Sequence, residues 1–106
     1  MIVVLVVGHA RDGLGDEVAE AVNRVAEAVS HDPDSGCLRY EVSRSQEDPD
    51  LFYWYEYFRD QEALVAHRNT EYFDRLVVRG VRPLLQAREG PFICDRVVTA
   101  GPSTRA

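Results

Sequence analysis

The segment Leu51-Phe52-Tyr53-Trp54-Tyr55-Glu56-Tyr57-Phe58, followed by Arg59-Asp60-Gln61-Glu62-Ala63-Leu64-Val65-Ala66-His67, decides the fold. Six of the chain's ten aromatic residues fall within positions 52–58, with one carboxylate among them. Side chains alternate faces along a strand. Read as a strand, the segment presents Phe52, Trp54, Glu56 and Phe58 on one side and Tyr53, Tyr55 and Tyr57 on the other. A strand that is aromatic on both faces has to be covered on both. The glutamate on the Trp/Phe face breaks the pattern, because burying an unpaired carboxylate is costly.

Working outward, residues 37–45 alternate apolar and polar, with Leu38, Tyr40 and Val42 on one face, as a half-buried strand does. The polar stretch 46–50 makes a hairpin loop into the aromatic strand. Downstream, Asp60 is placed to cap a helix running to about Arg68. Thr70 can cap a second helical piece carrying Phe73, Leu76 and Val77, which Gly80 and Pro83 disturb. Upstream, residues 2–9 form an apolar run suited to a central strand. Gly13 and Gly15 mark a turn, and Val18, Ala21, Val22, Val25 and Val29 give residues 16–30 one apolar helical stripe. Residues 91–100 read as the last strand and 101–106 as a disordered tail.

The order β-α-β-β-α-β is that of a ferredoxin-like fold, an α+β architecture with an antiparallel sheet and both helices on one face. A single domain over residues 1–100 is expected. The sheet face without helices, rich in tyrosine, suits pairing with a second copy, which predicts a homodimer. The same topology puts Cys37 and Cys94 on opposite edge strands, so they are expected as free thiols.

The chain has 106 residues, 45% hydrophobic and 28% charged, with a net charge of -6. The acidic balance argues against nucleic acid or an anionic membrane as partner. The apolar run at 2–9 is too short to span a bilayer and lacks the basic lead of a signal peptide, so a cytoplasmic location is expected. All twelve cationic side chains are arginine.

His67 lies one helical turn after Ala63 and Leu64 and shares their inward stripe. It and Glu56 can therefore look into one apolar space, as a general base with an orienting carboxylate. Burial would raise the pKa of Glu56 and lower that of His67, whereas pairing would do the reverse. The glycines form neither a dinucleotide fingerprint nor a phosphate loop. His9, His31 and His67 lack metal-ligand spacing, and no serine sits in a nucleophile elbow. Neither a metal nor an organic cofactor is expected.

Gly36-Cys37-Leu38-Arg39-Tyr40-Glu41-Val42, then 52–58, then Ala63-Leu64 and Ala66-His67-Arg68-Asn69-Thr70-Glu71-Tyr72-Phe73 resemble the antibiotic biosynthesis monooxygenase (ABM) domain. The resemblance extends over residues 2 to about 98. It implies a dimeric α+β barrel of two ferredoxin-like subunits, each with an apolar pocket between sheet and helices. It further implies cofactor-independent oxidation of a quinol- or anthrone-like aromatic by O2. His67 would be the base or proton relay and Glu56 would tune it, while Tyr40, Trp54, Phe58, Tyr72 and Phe73 would shape the pocket. The anthrone-oxidising branch carries an asparagine and a tryptophan where this chain has Trp54 and Phe58, so that mechanism does not transfer residue by residue. The haem-degrading branch needs a histidine where this chain has Phe73, Leu76 and Val77.

The branch around the isomerase of a phosphorylated linear dicarbonyl is also similar, through Tyr53-Trp54-Tyr55-Glu56-Tyr57 and the Ala66-His67 junction. On that alternative Arg39 or Arg68 would meet the phosphate. A third reading is a non-enzymatic dimer that binds an aromatic ligand.

Overall fold

The computed structural model describes residues 1–102; of the tail expected over 101–106, residues 103–106 lie outside it. Four strands, β1 (Ile2–Ala10), β2 (Cys37–Arg44), β3 (Leu51–Phe58) and β4 (Leu85–Asp95), form one antiparallel sheet in the order β2-β3-β1-β4. Helix α1 (Gly15–Ser30) follows β1, and α2 (Gln61–Arg68) follows β3. A wide π-type helix (Phe73–Val78) and a 3-10 turn (Arg82–Leu84) then lead into β4. This is the ferredoxin-like arrangement. No helix among the described residues is long and apolar enough to cross a membrane.

Cross-strand partners share a face, so the ladder fixes what the sheet shows each side. Val4 opposes Glu56, Val6 opposes Trp54 and Gly8 opposes Phe52, all on the helix-covered face. Leu5 opposes Tyr55 and Val7 opposes Tyr53 on the other, which no helix covers. The alternation expected for β3 holds: Phe52, Trp54 and Phe58 are buried, and Tyr53 and Tyr55 are exposed.

Two buried clusters form the core. Val18, Ala21, Val22 and Val25 of α1 pack with Phe52 and Trp54. Ala63 and Leu64 of α2 pack with Val4 and Phe58. Capping is partly long-range, because the Asp50 carboxylate accepts from the backbone N–H groups of Gly13 and Gly15, each at 3.0 Å, and so ties the β2–β3 loop to the start of α1. Asp60 caps α2 as expected, accepting from Ala63 N–H at 2.8 Å. Thr70 accepts from Phe73 N–H at 3.1 Å and caps the wide helix.

Two expectations are corrected. Leu38 was placed on the buried face of β2, but a bulge between Cys37 and Arg39 takes it out of the ladder, and it is exposed. The last strand is Leu85–Asp95, not 91–100. Its first half is polar and interrupted by Gly90-Pro91, which suits an edge strand paired on one side only. The register with β1 shifts there, between Leu5 and Val7. The ladder ends where Ile2 opposes Asp95.

Cys37 and Cys94 are free and on opposite edge strands, as the topology required.

Gly8 shows how tightly this face is fitted. A Cβ there would lie 2.7 Å from Cζ3 of Trp54 and 3.3 Å from Cδ1 of Leu85. Gly8→Ala should therefore destabilise the fold by about 1–3 kcal/mol through overpacking, read as a melting point lowered by several degrees; an unchanged melting point would mean the indole yields freely.

Candidate active site

Between the two clusters lies an apolar cavity of about 250 Å³. Its floor is sheet: Val4 and Val6 of β1 with Trp54 and Glu56 of β3. Leu64, His67 and Arg68 of α2 and Phe73 and Val77 of the wide helix form the roof. Val81, Arg82, Leu85, Arg88 and Pro91 complete the rim. The π-type helix sits where such wide turns often occur, beside a candidate site.

Four of the seven residues expected here line the cavity: Glu56, His67, Trp54 and Phe73. Tyr40, Phe58 and Tyr72 do not; they stand behind the wall and hold what does. Tyr40 accepts a hydrogen bond from Trp54 Nε1–H at 3.1 Å and fixes the indole. Phe58 is fully buried, its ring centroid 5.1 Å from that of His67. Tyr72 donates its hydroxyl to Asp32 Oδ2 at 2.9 Å, which anchors it to the loop after α1, and its ring meets His67 edge-on at 6.1 Å. With Phe73 at 5.4 Å, these rings box in the imidazole. Arg39 lies opposite Tyr57, pairs with Glu41 at 3.1 Å and is absent from the cavity wall, whereas Arg68 is part of it.

Burial is the dominant influence on both ionisable groups. It raises the Glu56 pKa from 4.5 to about 7, against a smaller opposing pull from the Arg68 charge. It lowers that of His67 to about 4, helped by Arg68 and opposed by Asp32. No hydrogen bond or ion pair joins Glu56 to His67 among the described residues; desolvation outweighs pairing. The group poised to exchange a proton near neutrality is the carboxyl, and the imidazole is neutral. Nδ1 of His67 is buried without a protein hydrogen-bond partner among those residues, a state that costs about 1–3 kcal/mol. The Cys37 thiol, raised to about 11 chiefly by burial and then by Glu56, is unreactive at neutral pH.

Arg82 and Arg88, which sequence reasoning missed, lie between the second helical piece and residue 91, where the last strand was expected to begin. Extending β4 back across Gly90-Pro91 would have placed Arg88 opposite Gly8, on the cavity face.

Between pH 4.5 and 7 the folded chain holds a proton on Glu56 that the unfolded chain has released, so Glu56 ionisation removes stability as pH rises through that window. Glu56→Gln should raise stability at pH 8 by about 1–3 kcal/mol, and the gain should vanish as pH falls to about 4.5. Thermal melts across pH measure it; a variant destabilised at pH 8 would refute the burial argument.

The model of the family described as antibiotic biosynthesis monooxygenase matches residues 1–79. No curated protein matches the chain. Among solved structures, the Pseudomonas aeruginosa protein PA3566 is similar at 28% identity and a TM-score of 0.78, over 92% of this chain and 94% of that one. An antibiotic biosynthesis monooxygenase is similar at 26% identity and a TM-score of 0.76, over 92% of this chain and all of the other. A Nitrosomonas europaea protein provisionally named for the same activity reaches a TM-score of 0.80 at 22% identity, over 92% of this chain and 100% of its own, a likeness of fold alone. With its family model matched over most of its length and this fold around an apolar cavity, the chain belongs to the antibiotic biosynthesis monooxygenase family.

Proposed function

We propose that the chain is a cofactor-independent monooxygenase acting on a small phenolic or quinol-like aromatic with O2. One observation carries the reading: a carboxyl with a pKa of about 7 faces an aromatic-walled cavity whose histidine is neutral. A volume of about 250 Å³ exceeds the ~150 Å³ that accepts benzene but falls below the ~300–1,000 Å³ of common ligand pockets. A two-ring substrate fits that interval better than a three-ring one.

In the reaction the Glu56 carboxylate takes the substrate's phenolic proton. The phenolate gives one electron to O2, and the radical pair couples to form a carbon–oxygen bond. Protonation gives a hydroperoxide, which loses water as the ring C–H hydrogen departs. For a naphthol the balance is C10H8O + O2 → C10H6O2 + H2O. One oxygen atom ends in the new carbonyl and the other in water. Neutral His67 serves as a hydrogen-bonding group beside the developing oxyanion, and the protonated carboxyl of Glu56 returns the proton.

The pH dependence tests the assignment. O2 uptake with naphthols should fall below pH about 7 as Glu56 protonates. Glu56→Gln should remove that limb and lower kcat by about 10²–10⁴-fold, the range of general acid–base catalysis; a limb near pH 4 that survives Glu56→Gln would make His67 the base. His67→Ala should slow turnover without moving the limb. A base beside a carbonyl would equally serve an isomerase, and a dicarbonyl rearranged without O2 uptake would favour that second reading.

The uncovered sheet face supports a homodimer. Tyr53, Tyr55 and Phe92 are exposed there at 46%, 41% and 52%, an apolar aromatic surface of the kind that marks an interface. Sedimentation should give twice the chain mass, and Tyr55→Arg should shift it toward one; a wild-type monomer at high concentration would refute the pairing.

A further inference from the structure

Arg68, Arg82 and Arg88 come from three different elements, the end of α2, the 3-10 turn and β4, yet all line the same cavity. Five other arginines each meet a carboxylate within 4.0 Å. These three meet none among the described residues. The chain as a whole carries a net charge of -6, whereas the cavity wall sets three arginines against one carboxylate, Glu56. The guanidinium of Arg82 lies 5.7 Å from the Phe73 ring centroid, a cation–π contact that holds it against the aromatic wall. Burial, followed by the charges of Arg88 and Arg68, lowers the pKa of Arg82, so the three cations feel one another. Like charges gathered three to one carboxylate destabilise the free protein, and a bound oxyanion would relieve that repulsion. Guanidinium groups are also suited by geometry to carboxylate and phosphate.

We propose that these arginines form an anion-binding mouth, so that the substrate carries a carboxylate or phosphate beside its reacting ring. The anion sits at Arg68, Arg82 and Arg88, and the ring enters between Trp54 and Phe73 toward Glu56. This rests on the cavity being the substrate site, but not on the oxidation itself.

Calorimetric titration with 1-naphthol, 1-hydroxy-2-naphthoate and 1-naphthyl phosphate tests it without turnover. At least one anionic probe should bind about tenfold more tightly than 1-naphthol, as three partly exposed charge contacts allow. Added salt should shrink that advantage, and whichever anion gains more identifies the group. The triple variant Arg68→Gln/Arg82→Gln/Arg88→Gln should bring the probes within about twofold of one another while keeping 1-naphthol affinity, which reports an intact cavity. If the triple variant does not fold, Arg68→Gln and Arg88→Gln, neither stacked on Phe73, should each reduce the advantage about twofold or more. Anionic probes that bind no better than 1-naphthol, or an advantage that survives these substitutions, would overturn the proposal. Anion preference without O2 uptake on any naphthol would leave the mouth standing and remove the monooxygenase; O2 uptake on neutral naphthols without anion preference would do the opposite.

Discussion

The two-residue alternation along β3 is the constraint on which the rest depends. Paired with β1 on one side and β2 on the other, this strand has no freedom to turn a residue from one face to the other. Its large rings therefore commit both faces to being covered. On one side they demand helices, and α1 and α2 supply them at opposite ends, over Phe52 and Trp54 and over Phe58. The helices do not close over the middle. There the same alternation delivers Glu56, and the gap above it is the cavity.

A carboxyl in that position works against the fold. Its neighbours are chosen for apolar packing, and the protein makes no pair for it with His67. Its proton affinity rises as a result, which is how a group that would be ionised in water becomes a proton acceptor near neutrality. The histidine experiences the same desolvation with the opposite result. One physical cause thus sets two groups on opposite sides of their ordinary values, and the roles we propose for them rest on it. The surrounding rings hold the site in place, Tyr40 by its hydrogen bond to Trp54 and Phe58 and Tyr72 by packing on His67.

Most of the frame was legible because it rests on local patterns. The alternation in β3, the stripe of α1 and the Asp60 and Thr70 caps are all short-range signals, and the structure keeps each one. What escaped depends on partners far away in the chain. The Asp50 cap on α1 acts across 35 residues or more. The bulge at Leu38 and the true start of β4 are set by pairing rather than by composition. In the site, Glu56 and His67 followed from parity and helical phase. Whether Tyr40, Phe58 and Tyr72 would face the ligand or back the wall turns on side-chain packing, which spacing does not encode. Of the rim arginines, Arg88 was hidden by the misplaced strand, and Arg82 sits in the short turn before it.

The fit of Trp54 over Gly8 has a further, practical side. The chain contains one tryptophan, its indole is held by Tyr40 and by the missing side chain of Gly8, and it forms the cavity wall. Indole emission from this protein thus arises at one place only. It is an intrinsic optical probe positioned by the fold itself, in which occupancy of the cavity and loosening of the core act on the same chromophore.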